Sequence, residues 1–145
     1  MQAPYSLMRR GIEAHILPFC QNNHIDVLAY SPLERGLLTG KVGLDTHFPS
    51  TDHREHNPTF SRHNRKIVID ILNKIRPIAT KHQATLAQIV LNCTYHMPGI
   101  AAVLVGARNG AQAKENAGTL AIHLTEAERF AIVDAFASEE IQLTD

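Results

Sequence analysis

Two short apolar runs constrain this chain more than anything else in it: Ile25, Val27, Leu28 and Ala29 ahead of a Ser-Pro turn, and AAVLVGA over residues 101–107. Apolar runs of this length, bounded by turn signals, belong to strands covered on both faces, the pattern of a parallel sheet. Helical text surrounds both. Between Arg9 and Asn23, Ile12, Ile16, Phe19 and Cys20 recur at helical spacing and predict one amphipathic helix. Ile67, Val68, Ile71, Leu72, Ile75, Ile78 and Ala79 predict a second, which Pro77 should kink or end early. Three helix starts carry a polar cap followed three residues later by Glu or Gln: Thr85 with Gln88, Asn109 with Gln112, and Thr125 with Glu128. The last of these helices is expected to pack Phe130, Val133 and Phe136 along one side. From Glu34 to Ser61 periodicity vanishes, and a loop of that length is usually functional or mobile.

The resulting order is helix, strand, long loop, helix, helix, strand, helix, helix, which is what a parallel α/β layer produces. Two strands are too few to close a barrel or complete an open sheet, so the text reads as part of a larger fold. With 145 residues, 44% of them apolar and 19% charged, one domain with a real core is allowed. Fourteen Lys and Arg balance fourteen Asp and Glu, so no net field draws the chain to nucleic acid or to an anionic membrane. Cys20 and Cys93 form no CxxC or dense pattern, which makes a reduced, cytoplasmic protein the expectation. The N-terminus, MQAPYSLMRR, has no apolar run of signal-peptide length, and no segment approaches the ~18 continuous apolar residues of a membrane span.

Three blocks, QAPYSLMRRGIE at 2–13, IDVLAYSPLERGLLTGK at 25–41 and VLVGARNGAQAKEN at 103–116, resemble aldo-keto reductase text, the third in the family's GAR-x3-Q-x2-EN form. The resemblance spans essentially the whole chain. It implies a partial (β/α)8 barrel, with residues 1–145 supplying the C-terminal strands and helices, and an NADP(H)-binding part of an oxidoreductase that reduces carbonyls by hydride transfer.

The residues themselves give these blocks a job. Tyr30 ends a predicted parallel strand, at the edge where α/β folds place ligands, and its ring can stack on a flat heterocycle. By resemblance that heterocycle is nicotinamide; outside the YSPL context, Tyr30 would read as a core cap. Ser31, Pro32, Leu33 and the glycine turn through Gly36 and Gly40 permit close approach of a pyrophosphate. Lys41 supplies positive charge, although on charge alone it would be a solvated lysine. The family pattern adds Arg54, folding over the cofactor from the long loop. In the third block Gly106 and Arg108 mark a strand running into a helix start, where free N–H groups and the helix dipole favour phosphate. An arginine there suits the 2′-phosphate of NADP, and Gln112, Glu115 and Asn116 resemble the family's adenosine contacts. Taken singly, Arg108 also reads as a surface residue and Asn109 as an ordinary cap.

Gln2 corresponds to the glutamine that contacts the nicotinamide amide in the family. A strand carrying it should have residues before it, so the chain is expected to begin within a strand, as a truncated product, a split gene or a fragment. The family's proton-donating tyrosine and its lysine, aspartate and histidine partners lie on earlier strands, and no part of this sequence matches them. The expected catalytic set is therefore none, and Tyr5, Tyr30 and Tyr95 are not promoted to that role. His53, His56 and His63 lie in polar text without organised Cys or paired Glu and read as solvated rather than metal-binding. Cys93 stands where relatives commonly carry tryptophan.

Two classes of function remain. One is a reductase component, inactive until a separate chain supplies the earlier strands. The other is a non-catalytic nucleotide-binding or protein-interaction remnant, with a degenerate reading frame behind it. Exposed strand edges would invite self-association in either case.

Overall fold

A computed structural model describes residues 1–139, 141 and 143. Its strands are β1 (Gln2–Pro4), β2 (Val27–Tyr30) and β3 (Ile100–Leu104), all parallel, in the order β1-β2-β3. Its helices are α1 (Ile16–Asn22), α2 (Arg62–Lys81), α3 (Leu86–Tyr95), α4 (Gly110–Gly118) and α5 (Glu126–Ala137). The class is α/β, as expected, and β1 adds a strand carrying Gln2 to the two apolar runs.

Pairing sets the faces. Gln2 opposes Leu28, Pro4 opposes Tyr30, and Tyr30 opposes Leu104, so Gln2, Pro4, Leu28, Tyr30 and Leu104 share one face. The other face carries Ala3, Val27 and Ala29, all buried with Tyr5, Ile12, Leu17 and Cys20. A second, larger core lies among α2, α3 and α5, and the turn after β2 inserts Leu37 and Leu38 into it.

The caps behave as their residue types require. Thr85 and Thr125 each accept the N–H of the residue three ahead, and Gln88 and Glu128 return the bond to the cap N–H. Asn109 accepts from the Gln112 N–H, but the Gln112 side chain instead accepts from the Arg108 N–H at 2.8 Å. Glu128 also accepts from Lys81 Nζ at 2.7 Å. That bond, with the Thr125 N–H and His82, holds its carboxyl down at about 2 from an ordinary 4.5. A depressed carboxylate stabilises above its unfolded pKa and loses that contribution as pH falls through the folded one. Wild type should therefore exceed Glu128→Gln in stability at pH 7, and urea melts should show the gap closing between pH 4.5 and 2.

Four expectations need correction. The first helix breaks: residues 11–13 form a 3-10 turn, and α1 starts at Ile16, after His15 at φ −137°. The break shifts the helical phase, so Leu17 and Cys20 are buried while Ile16 and Phe19 are exposed. Pro77 does not end α2, which runs on to Lys81. Asn73 and Pro77 both face outward, so the carbonyl that proline deprives of a partner can turn to water. β3 stops at Leu104 and is half exposed, because β2 is its one neighbour among the described residues. In α5 the inward set is Ile132, Ala135 and Phe136, with Val133 partly buried; Phe130 is 73% exposed. Phe130 lies two residues from Ile132, about 200° away around the helix.

Cys20 and Cys93 are free and buried, and burial pushes the Cys93 thiol up to about 12. No helix among the described residues is long and apolar enough to cross a membrane.

Candidate functional site

Because all three strands are parallel, their C-terminal ends meet at one edge. Tyr30 ends β2 there, 41% exposed on the uncovered face of the sheet. Beside it lies a cavity of about 180 Å³. Pro4 and Arg9 line it from the β1 side, Tyr30, Ser31, Glu34 and Arg35 from the turn after β2, and Asn57, Thr59 and Phe60 from the turn ahead of α2. Of the residues singled out from the sequence, Tyr30 and Ser31 alone line this cavity.

The turn after β2 is unusual backbone. Ser31 has φ 57°, Glu34 44°, Arg35 54° and Gly36 97°. Positive φ is natural for Gly36 and costs about 1 kcal/mol or more for a residue with a side chain. Gly40, at φ 75°, closes the turn against α3: a Cβ there would meet Leu86 Cδ1 at 2.7 Å. Pro32 is buried and Leu33 half-buried, so the segment is anchored from below.

The remaining predicted residues gather around this turn and the start of α4. Lys41 is exposed, with Nζ 4.0 Å from Glu115 Oε2 on α4. Glu115 Oε1 accepts from Thr85 Oγ1 at 2.9 Å, and its carbonyl accepts from Gln88 Nε2 at 2.8 Å. Asn116 Nδ2 donates to the Gly106 carbonyl at 3.3 Å, tying α4 back to the end of β3. Arg108 is exposed at that junction, and a Cβ on Gly106 or Gly110 would meet nothing within 4 Å, so the approach is open. Arg54 does reach the turn, donating to the Arg35 carbonyl at 3.3 Å beside Gly36. Its guanidinium is also held by Asp52 at 2.6 Å and lies over the Phe48 ring. The paired arginine keeps the Asp52 carboxyl well below the usual carboxylate range. Gln2 is exposed at the start of β1, one pleat step below Tyr30 on the same face.

Sequence reasoning missed Arg9, Glu34, Arg35, Asn57, Thr59 and Phe60. A signal existed for Glu34, a carboxylate between Leu33 and Arg35 in a glycine turn, but its burial depends on Ser6 and Arg9 across the strand pair. Of the three tyrosines, Tyr30 alone lines the cavity. Tyr5 is fully buried and donates to Glu13 Oε1 at 2.6 Å; burial, then that bond, pushes its pKa far above the ordinary value. Tyr95 ends α3, outside the cavity. Among the described residues no His, Cys, Asp and Glu group could hold a metal.

Comparison with known proteins gives a consistent result. Residues 1–138 match the model of the Aldo/keto reductase family. An NADH-specific methylglyoxal reductase of Escherichia coli (strain K12) is 35% identical over 128 residues, covering 88% of this chain and 39% of that protein. The aldo-keto reductase yakc [NADP(+)] of Schizosaccharomyces pombe (strain 972 / ATCC 24843) is 28% identical over 139 residues, covering 96% of this chain and 41% of that protein. The solved glycerol dehydrogenase AKR11B4 from Gluconobacter oxydans superposes with a TM-score of 0.85 at 31% identity, over 99% of this chain and 45% of that one. The chain thus spans less than half the length of the proteins it matches.

Proposed function

The chain belongs to the aldo/keto reductase family, and on that premise we propose that it forms the cofactor-binding side of an NADP(H)-dependent carbonyl reductase. In this reading residues 1–145 are the C-terminal part of a (β/α)8 barrel in the reducing cytoplasm. The edge strands β1 and β3 receive the remaining strands, supplied by another segment or chain, and the open face becomes the barrel interior.

The observation that carries the reading is the convergence at one sheet edge of Tyr30, the left-handed turn from Ser31 to Gly36, and the open start of α4. The Tyr30 ring offers an exposed flat surface for nicotinamide, with Gln2 on the same face for its amide. Ser31, Leu33 and Gly36 present backbone to the pyrophosphate, with Lys41 and Arg54 as flanking cations. Arg108, with Gln112, Glu115 and Asn116 on α4, takes the adenosine end. When bound, the nicotinamide supplies the hydride; this chain's residues orient it. The two relatives named above differ in the cofactor their names print, and Arg108 beside the start of α4 favours NADP here. Family proton donors would come from the strands outside this chain.

A second reading, a non-catalytic nucleotide-binding or interaction remnant, draws on the uncovered apolar face with Tyr30 and Leu104 exposed. Fluorescence titration tests both. Arg108→Ala should weaken NADPH binding by about tenfold or more, as loss of a charge-assisted phosphate contact does, and leave NADH nearly unchanged. Equal losses for both cofactors would remove the NADP assignment. A folded wild-type chain that binds neither would leave the remnant reading standing.

A further inference from the structure

The stretch from Ser31 to Gly36 holds three side-chain-bearing residues at positive φ, Ser31, Glu34 and Arg35, ahead of Gly36. Such backbone persists where the surroundings over-determine it. Here the surroundings come from the neighbouring strand. The Glu34 side chain is buried, and Ser6 Oγ donates to its Oε1 at 2.6 Å. Ser6, itself fully buried, has its hydroxyl oxygen occupied by the N–H groups of Met8 at 3.2 Å and Arg9 at 3.0 Å. A hydroxyl has one proton to give, so those two bonds aim it at Glu34. Arg9 Nε approaches the same carboxylate oxygen at 3.5 Å. The segment after β1 and the turn after β2 are thereby tied together, directly beyond the Pro4 and Tyr30 register pair.

A buried carboxylate and its cation contribute little net stability compared with apolar residues of the same size. Their use here is geometric. The carboxylate fixes the side chain of the first residue of the positive-φ run Glu34, Arg35 and Gly36, while the Glu34 N–H bonds the Ser31 carbonyl at 3.0 Å and the Gly36 N–H bonds the Leu33 carbonyl at 2.9 Å. Arg9 and Glu34 also form cavity wall next to Tyr30 and Ser31.

We propose that Glu34 is a positioning residue, oriented by Ser6 and Arg9, that sets the backbone of the Ser31 to Gly36 turn in its ligand-receiving form. The ligand part rests on the cofactor reading above; the backbone part does not. The test therefore reads both, on the full chain, with Glu34→Ala and the milder Glu34→Gln, which keeps an acceptor for Ser6 but removes the charge facing Arg9.

Amide hydrogen exchange resolved by residue is the first readout. Glu34→Ala should speed exchange at Gly36 and Leu38 by about tenfold relative to the helices, and Glu34→Gln should recover part of the protection. NADPH affinity should fall in the same order, by about tenfold and about threefold. Exchange that is unchanged in the turn, or that rises equally throughout the chain, would overturn the positioning role. If Glu34→Ala fails to fold, Glu34→Gln alone decides by the same criterion. Wild-type chain that shows no NADPH binding would sink the cofactor reading instead, and the exchange pattern would still decide whether Glu34 sets the turn.

Discussion

Ile89→Ala is expected to lower the unfolding free energy by about 3 to 4 kcal/mol, the cost of deleting a buried aliphatic side chain and leaving a cavity. Ile89 is fully buried on α3, in the core that also holds Leu37 and Leu38 from the turn after β2. A void at this point weakens the floor beneath the candidate site as well as the helix packing. Ordinary domains have about 5 to 15 kcal/mol in total, so the loss is a large share of what holds the chain together. Phe130→Ala is the matched contrast: that ring is 73% exposed, and the change should stay within about 0.5 kcal/mol. Urea unfolding followed by circular dichroism measures both. Equal destabilisation by the two variants would mean that the assignment of inward and outward faces is wrong.

That contrast also marks what the sequence could and could not reveal. The helix starts were legible because a cap is a local device: Thr85 and Thr125 need only the residue three ahead. The parallel strand at Val27–Tyr30 was legible for the same reason, as an apolar run closed by a turn. Which face of α5 points inward was not, because Phe130 and Phe136 are equally apolar and the packing partner decides between them. β3 has the composition of a strand covered on both sides, yet Leu104 is exposed, since β2 is the one strand beside it among the described residues. Of the residues that line the cavity, Tyr30 and Ser31 were singled out from motif and spacing. Glu34 was not, because its partners Ser6 and Arg9 come from the other side of a strand pairing that text alone does not display.

The largest expected effect concerns chemistry. Incubated with NADPH and an aldehyde, the chain by itself should give no measurable carbonyl reduction, even where it binds the cofactor. Reduction needs a proton as well as a hydride, and a positioned acid is worth about 10²- to 10⁴-fold. On the proposed reading the cavity offers none of the right kind. Arg9 and Arg35 line it, but guanidinium groups do not release a proton near neutrality. Glu34 is committed to Ser6, and the Tyr5 hydroxyl is sealed in the core against Glu13. Tyr30 also lines the cavity, and the proposed function assigns its ring to stacking on nicotinamide rather than to proton transfer. The same argument predicts rescue. Adding a second polypeptide that carries the earlier strands of a relative's barrel should extend the sheet from β1 and β3, enclose the face displaying Leu28, Tyr30 and Leu104, and raise turnover by at least about 100-fold. Substituting the tyrosine donor in that added piece should abolish the gain, whereas Arg108→Ala in this chain should raise the KM for NADPH with little change in kcat. Turnover by the unaided chain would place a proton donor among its own residues and end the claim that the chemistry is shared.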